Sequence, residues 1–226
     1  MNTNKFFNTA SARRERENLS AGAAKSAATK RKFPLINQKE IERKILGIDV
    51  RKLVAQIKKL RPAPKKLFEG KLRIKYYDFA DGRIHKKRDL LRIREFWPKS
   101  GKPYSELVYK LYKGVQKNCK VFDELEFVIP GTHDAEKLGL LFGRMGLKEM
   151  VYYEKKRTLY KWGDVKFEID EHPKIPAFME IEGKSPAAIE KAIKALGLEK
   201  NEQSAETIEE LLRRKYKGIG LNDLRF

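Results

Sequence analysis

The first stretch of the chain with residues able to do chemistry is Glu40-Ile41-Glu42-Arg43-Lys44. On a β-strand, alternation puts Glu40, Glu42 and Lys44 on one face and Ile41, Arg43 and Ile45 on the other. Such a charged face either meets solvent or lines a polar cavity. Later segments repeat the pattern: Arg92 and Arg94 alternate with Leu91 and Ile93, Lys110 with Tyr109 and Leu111, and Glu124 and Glu126 with Leu125 and Phe127. Lys155 and Arg157, Glu168 and Asp170, and Glu180 and Glu182 complete an acidic and a basic set. If these faces meet in a closed lumen, their charges must pair or bind something, because an uncompensated buried charge is costly. A polyanion suits both signs, since Arg and Lys hold it directly and carboxylates hold it through divalent cations such as Mg²⁺ or Mn²⁺. Triphosphate is such a ligand. If the sheet stays open, the same residues form surface ion pairs worth about 0 to 1 kcal/mol each, and nothing is bound.

The elements that must position these residues are strands with apolar opposite faces, and amphipathic helices to cover them. Val50, Leu53, Val54, Ile57 and Leu60 fall at helical spacing behind an Asp49 cap, and Pro62 and Pro64 end that helix. A second helix is predicted over Asp134 to Met145, with Leu138, Leu141, Phe142 and Met145 inward and Gly146 ending it. A third runs from Pro186 to Leu196 behind Ser185 and stops at Gly197, and a last one runs from about Ala205 to Lys215. Strands are predicted over residues 72–79, 89–96, 152–161, 164–170 and 177–182, and around Lys110 and Glu124. Asp81-Gly82, Pro98 to Gly101 and Trp162-Gly163 supply turns. The fold class is therefore α+β, an antiparallel sheet with helices packed on its apolar face. His85, His133 and His172 are scattered over a turn, a helix start and a Pro-flanked loop, so no joint metal site is read from them. Tyr76, Tyr77, Phe96 and Trp97 are read as core, and Gly139 and Gly143 as permitting close helix packing.

Composition sets the outer limits. The chain has 226 residues, of which 41% are hydrophobic, enough for a real core. Its single cysteine, Cys119, excludes an intramolecular disulfide and a cysteine-based zinc site and fits a reducing, cytoplasmic setting. No apolar run approaches the roughly 20 residues of a membrane span, so no membrane is expected. Residues 1–37 are rich in Ser, Ala, Arg and Lys and are read as a disordered basic arm ahead of one folded domain over 38–226. The net charge of +20 attracts polyanions, and nucleic acid is a candidate partner through that arm.

Taken in order, Glu40-x-Glu42-x-Lys44, Tyr77-Asp78, Leu91-Arg92-Ile93-Arg94-Glu95, Lys110, Glu124-x-Glu126, Lys155-x-Arg157 and Phe178-Met179-Glu180-Ile181-Glu182 resemble the CYTH family. These are the triphosphate tunnel metalloenzymes, among them class IV adenylyl cyclases, thiamine triphosphatases and inorganic triphosphatases. The likeness runs from about residue 38 to the closing Leu224-Arg225-Phe226. It implies an eight-stranded antiparallel β tunnel that binds a triphosphate and a divalent metal, Mg²⁺ or Mn²⁺. By the same resemblance Glu40, Glu42, Glu126, Glu180 and Glu182 coordinate metal, and Lys44, Arg92, Arg94, Lys110, Lys155 and Arg157 hold phosphate. Lys44, Glu42 and Arg94 are the expected catalytic residues. Phe122 stands where the family usually carries an Arg, and Lys120, on the same face by parity, is its candidate replacement. Water attacking the terminal phosphorus makes the protein a triphosphatase. The 3′-hydroxyl of ATP attacking the α-phosphorus makes it a cyclase. A dimer is compatible with the family, and a non-catalytic polyphosphate or nucleic-acid binder is the reading from another class.

Overall fold

A computed structural model of the chain describes residues 38–226, and the basic arm expected over residues 1–37 falls outside the described residues. The described strands are β1 (Gln38–Ile45), β2 (Lys65–Phe79), β3 (Leu90–Pro98), β4 (Tyr104–Gln116), β5 (Cys119–Pro130), β6 (Leu147–Trp162), β7 (Val165–Glu171), β8 (Phe178–Gly183) and the short β9 (Gln203–Ser204). The helices are α1 (Val50–Lys59), α2 (His133–Arg144), α3 (Pro186–Ala195) and α4 (Ile208–Lys215). The sheet runs β5-β4-β3-β2-β6-β7-β8-β1 and closes because β1 also pairs with β5. Every pairing is antiparallel, and eight is an even number, so the two end strands meet with the polarity they need. β1 is the closing stave. Its residues Gln38 to Glu42 pair with Glu124 to Lys120 of β5, and Ile41 to Ile45 pair with Gly183 to Met179 of β8.

The helices lie where the outer faces are apolar. Asp49 accepts the Lys52 backbone N–H at 3.0 Å and starts α1, and Ser185 does the same for α3 through Ala188 at 3.2 Å. Leu53 and Ile57 of α1 and Ile189, Ala192 and Ile193 of α3 bury against Ile41, Ile45, Phe167, Ile169, Met179 and Ile181 on β1, β7 and β8. Each such large side chain contributes about 1.5–3 kcal/mol. Arg43 shares this outer face and is 5% exposed. Its guanidinium donates to Glu190 at 2.8 Å, to Gln203 at 2.7 Å and to the Lys117 carbonyl at 2.7 Å, which makes its burial tolerable.

Several expectations need correction, the plainest being Trp97, read as core and found 38% exposed. In α2 the inward stripe is Ala135, Leu138 and Phe142, packed on Tyr77, Ile93 and Leu147. Leu141 is 51% exposed, because a residue next to Phe142 points about 100° round the helix from it, and Met145, 61% exposed, is the C-cap beyond the last helical residue Arg144. α4 starts at Ile208, not Ala205, since Thr207 forms a capping box in which its hydroxyl accepts from Glu210 N–H and the Glu210 carboxylate accepts from Thr207 N–H. β2 and β6 begin well before residues 72 and 152; their lysine-rich ends pair with each other from Lys65↔Lys161 onward, which local composition does not reveal. On β2 the polarity is inverted: Leu72 and Ile74 point inward, opposite Phe96 and Arg94, and Lys71 and Arg73 are exposed outside. One tunnel wall is thus apolar.

On α2, Gly139 packs close over Tyr77, where an added Cβ would lie 2.9 Å from the hydroxyl, whereas Gly143 has open space, not the close packing expected of it. At Gly70 a Cβ would stand 2.7 Å from the Pro98 Cα and nearer still to the Trp97 carbonyl, so β2 and β3 cannot keep their spacing with a side chain there. Gly70→Ala is expected to lower unfolding free energy by about 2–3 kcal/mol, and Gly143→Ala to raise it by about 0.5 kcal/mol, in urea titrations of the two variants. Equal effects would show that the β2–β3 contact is not tight.

Candidate active site

Strand alternation, carried around a closed sheet, sends one residue in two to the axis. The result is a cavity of 580 Å³ lined by all the charged residues of the acidic and basic sets named from the sequence. β1 supplies Glu40, Glu42 and Lys44; β3 supplies Arg92 and Arg94; β4 supplies Lys110; β5 supplies Lys120, Glu124 and Glu126. Lys155 and Arg157 come from β6, Lys166, Glu168 and Asp170 from β7, and Glu180 and Glu182 from β8. The open-sheet alternative is excluded by this closure.

Within the lumen the charges are matched in pairs. Lys44 meets Glu180 at 2.7 Å, Lys120 meets Glu42 at 2.8 Å, Lys166 meets Glu182 at 2.9 Å, and Lys110 meets Glu40. Arg94 bridges Glu106 at 2.6 Å and Glu126 at 2.9 Å. Asp170, wholly buried, accepts two bonds from Arg157 at 2.6 Å and one from Lys155 at 2.7 Å. Arg157 also reaches Glu168, and Glu180 at 3.2 Å. Arg92 differs. Among the described residues it alone of the expected phosphate-binding cations forms no ion pair; its Nε, like that of Arg94, is buried without a hydrogen-bond partner.

Crowding and burial set the protonation states. Burial pushes Glu40 up to about 8, helped by Glu42, Glu124 and Glu182 and opposed by Lys110. Burial likewise carries Glu168 to about 7 against Arg157, with Glu180 and Asp170 adding to the rise. Burial also works to raise Glu42, but Lys120, Lys44 and Lys110 prevail over it and hold that carboxyl below its usual range. Lys155 and Lys120 are both lowered, first by burial and next by the cationic neighbours Arg157 and Lys44 respectively, only partly offset by Asp170 and Glu42.

The proposed metal ligands are not all neighbours. Glu42 stands directly opposite Glu182, and Glu180 opposite Glu168. Glu126 lies beyond the end of β1, half-exposed beside Arg94. Among the described residues no three His, Cys, Asp or Glu side chains are gathered in metal-binding geometry; each carboxylate is turned onto a Lys or Arg. The donor chemistry nonetheless fits a hard divalent cation: oxygen ligands on adjacent strands, crowded enough that two of them resist ionisation.

Several lining residues were not singled out as site residues. Lys120 was read only as a stand-in at Phe122, yet it is 4% exposed inside the tunnel. Lys166 precedes Glu168 by the same two-residue period that would have found it. His172 continues that period past the end of β7. It is buried, stacks between Tyr153 and Phe178, and leaves Nδ1 without a partner.

Burial, with Lys155 and Arg157 nearby, lowers His172 to about 3, despite Asp170 and Glu180. A group lowered from about 6.5 binds its proton only in the unfolded chain between those two values, so its contribution to stability is present above pH 6.5 and is lost as pH falls toward 3. The slope is about 1.4 kcal/mol per pH unit. His172→Phe, which preserves the stacking, is expected to lose about 2–3 kcal/mol less than the natural chain between pH 6.5 and 4.5 in urea unfolding. Parallel stability curves for the two proteins would refute the buried neutral imidazole.

The family model described as CYTH domain matches residues 38–216. A Methanocaldococcus jannaschii protein named as a candidate adenylate cyclase is 31% identical over 146 residues, 63% of this chain and 75% of that protein. A solved structure from Pyrococcus horikoshii OT3 superposes with a TM-score of 0.62 at 26% identity, over 78% of this chain and 99% of the other. A candidate adenylyl cyclase of Hippeastrum, described as revealing a dominant triphosphatase activity, shares the fold at a TM-score of 0.57 and 17% identity, over 77% and 94% of the two chains. The matched span takes in the whole closed barrel, from Glu40 and Glu42 on β1 to Glu180 and Glu182 on β8, and the chain belongs to the CYTH domain family.

Proposed function

We propose that this protein hydrolyses a triphosphate inside the tunnel with the help of Mg²⁺ or Mn²⁺. The observation that carries the reading is Arg92: a half-buried guanidinium that forms no ion pair among the described residues and whose Nε, like that of Arg94, is buried without a hydrogen-bond partner, in a lumen where the neighbouring cations are paired with carboxylates. A buried donor left unsatisfied is costly, and a phosphate oxygen satisfies it. Lys44, Arg94, Lys110, Lys155 and Arg157 converge on the same cavity and can follow a chain of phosphates by releasing their present carboxylates.

Phosphoryl transfer requires little covalent help, so holding the phosphates in line and neutralising their charge does most of the work. A divalent cation held by Glu40, Glu42, Glu180 and Glu182, with Glu126 nearer the rim, supplies further charge neutralisation. Lys155, lowered by burial and by Arg157, is the basic group best able to take a proton from an incoming water. Glu42, kept ionised by Lys120 and Lys44, fixes Lys44 in turn at 3.8 Å.

The Methanocaldococcus relative's name favours a second reading, cyclisation of ATP. The same phosphate grip serves both reactions, and the products decide between them. Tripolyphosphate, ATP and thiamine triphosphate are to be assayed with Mg²⁺ or Mn²⁺, and release of orthophosphate is expected. Pyrophosphate with cyclic AMP would instead establish the cyclase. Arg92→Ala and Glu42→Gln are each expected to lower kcat/KM at least 100-fold while circular dichroism and melting behaviour persist. Chelation with EDTA should abolish turnover, and added Mg²⁺ or Mn²⁺ should restore it. Full activity in Arg92→Ala would remove the tunnel from the reaction.

A further inference from the structure

The tunnel does not account for the protein's charge. Its Lys and Arg side chains are matched by Glu and Asp in comparable number, so the lumen is close to neutral overall. Residues 1–37 contribute 8 Lys+Arg and 2 Glu, which leaves a net +14 of the chain's +20 on residues 38–226. That surplus must lie on the outer surface.

Part of it gathers at one corner. The solvent face of α1 carries Arg51, Lys52, Lys58 and Lys59, and the helix contains no acid at all. Arg61 follows, laid over the last carbonyls of α1, and the chain passes at once into Lys65 on β2. Lys65 stands directly opposite Lys161 of β6, and further along the same ladder Lys71 stands opposite Lys156. Like charges in directly opposed positions destabilise a sheet; Lys71 and Lys156 are compensated, both lying over the Phe226 ring with Lys156 also opposite Glu171, whereas Lys65 and Lys161 form no ion pair among the described residues. The nearby carboxylates of Glu69 and Asp164 are already taken, by Lys66 and Lys99 and by Lys184.

We propose that this corner, α1 with the paired ends of β2 and β6, is a docking surface for the phosphate backbone of a nucleic acid. A membrane is the lesser fit. An amphipathic helix binds a bilayer by inserting its apolar face, and in α1 that face is spent: Leu53 and Ile57 are 1% and 0% exposed against the barrel. What remains is an array of cations on a rigid helix and sheet, which binds polyphosphate by counterion release without reading its sequence.

The test titrates the full-length protein against a short fluorescein-labelled RNA strand and a DNA duplex of the same length, by anisotropy over a series of salt concentrations. Reversal of four charges together, Lys58→Glu, Lys59→Glu, Lys65→Glu and Lys161→Glu, is expected to weaken binding at least tenfold. It should also flatten the slope of log K against log salt by about 3. The matching Lys→Gln set should weaken it less, and covers the case in which the reversed chain fails to fold. Arg92→Ala, inside the tunnel, should bind as the natural chain does. Undiminished binding after reversal would overturn the proposal, as would sedimentation with phosphatidylserine vesicles by a protein that ignores both nucleic acids.

Discussion

Everything in this fold answers to one constraint: a charged face turned inward must be neutralised where it stands. Outside the barrel an ion pair adds little, because water competes with it. Inside, the partners cannot be omitted, since removing one leaves a buried charge whose cost runs to several kcal/mol. Asp170 shows the demand most plainly, holding both Arg157 and Lys155 in a place water does not reach. The same demand explains why acids and bases interleave around the lumen. Lys44 sits between Glu42 and Glu180, and Lys110 between Glu40 and Glu124.

Such a network is a poor source of net stability but a good template for a ligand that replaces one sign of it. The barrel's stability comes from elsewhere, chiefly the apolar layer between α1, α3 and the outer faces of β1, β7 and β8. That division of labour frees the lumen to be strained. Glu40 and Glu168 resist ionisation, Lys155 and Lys120 are pressed toward neutrality, and Arg92 lacks a partner among the described residues. Under the proposed function, an anionic chain with its counter-cation would relieve these tensions together, a basis for specificity that a plain basic pocket would not have.

The inner charges were legible in the sequence because a period of two survives closure of the sheet. Once Glu40, Glu42 and Lys44 share a face, pairing passes the face from strand to strand to Glu182, Glu168 and Arg157. What stayed hidden depends on contacts that parity cannot see. The inverted β2, with Leu72 inside and Lys71 outside, reads as an ordinary half-buried strand. His172 lies past the last ladder pair of β7, so nothing local says that the alternation continues. The exposed Leu141 and Met145 fit a helical stripe as well as Leu138 does, and only the position of Tyr77 and Ile93 beneath α2 chooses between them.

The position of Phe122 shows how such a lumen absorbs a change. The ring is 2% exposed, and the ammonium groups of Lys110 and Lys120 lie 5.5 and 5.6 Å from its centroid. One pleat before Phe122 on β5, and opposite Glu42, stands Lys120, the candidate for the charge that the family usually places at this point. The exchange is not neutral. An ammonium is a compact point charge with three freely rotating donors, where a guanidinium presents a rigid fork that grips two oxygens of one group in a fixed geometry. It is also a group whose charge burial can weaken, and Lys120 is lowered by burial and by Lys44. For the triphosphate proposed above, the β5 wall would therefore offer a softer and more adjustable grip than Arg92 and Arg94 on β3, a yielding side of the lumen against a firm one.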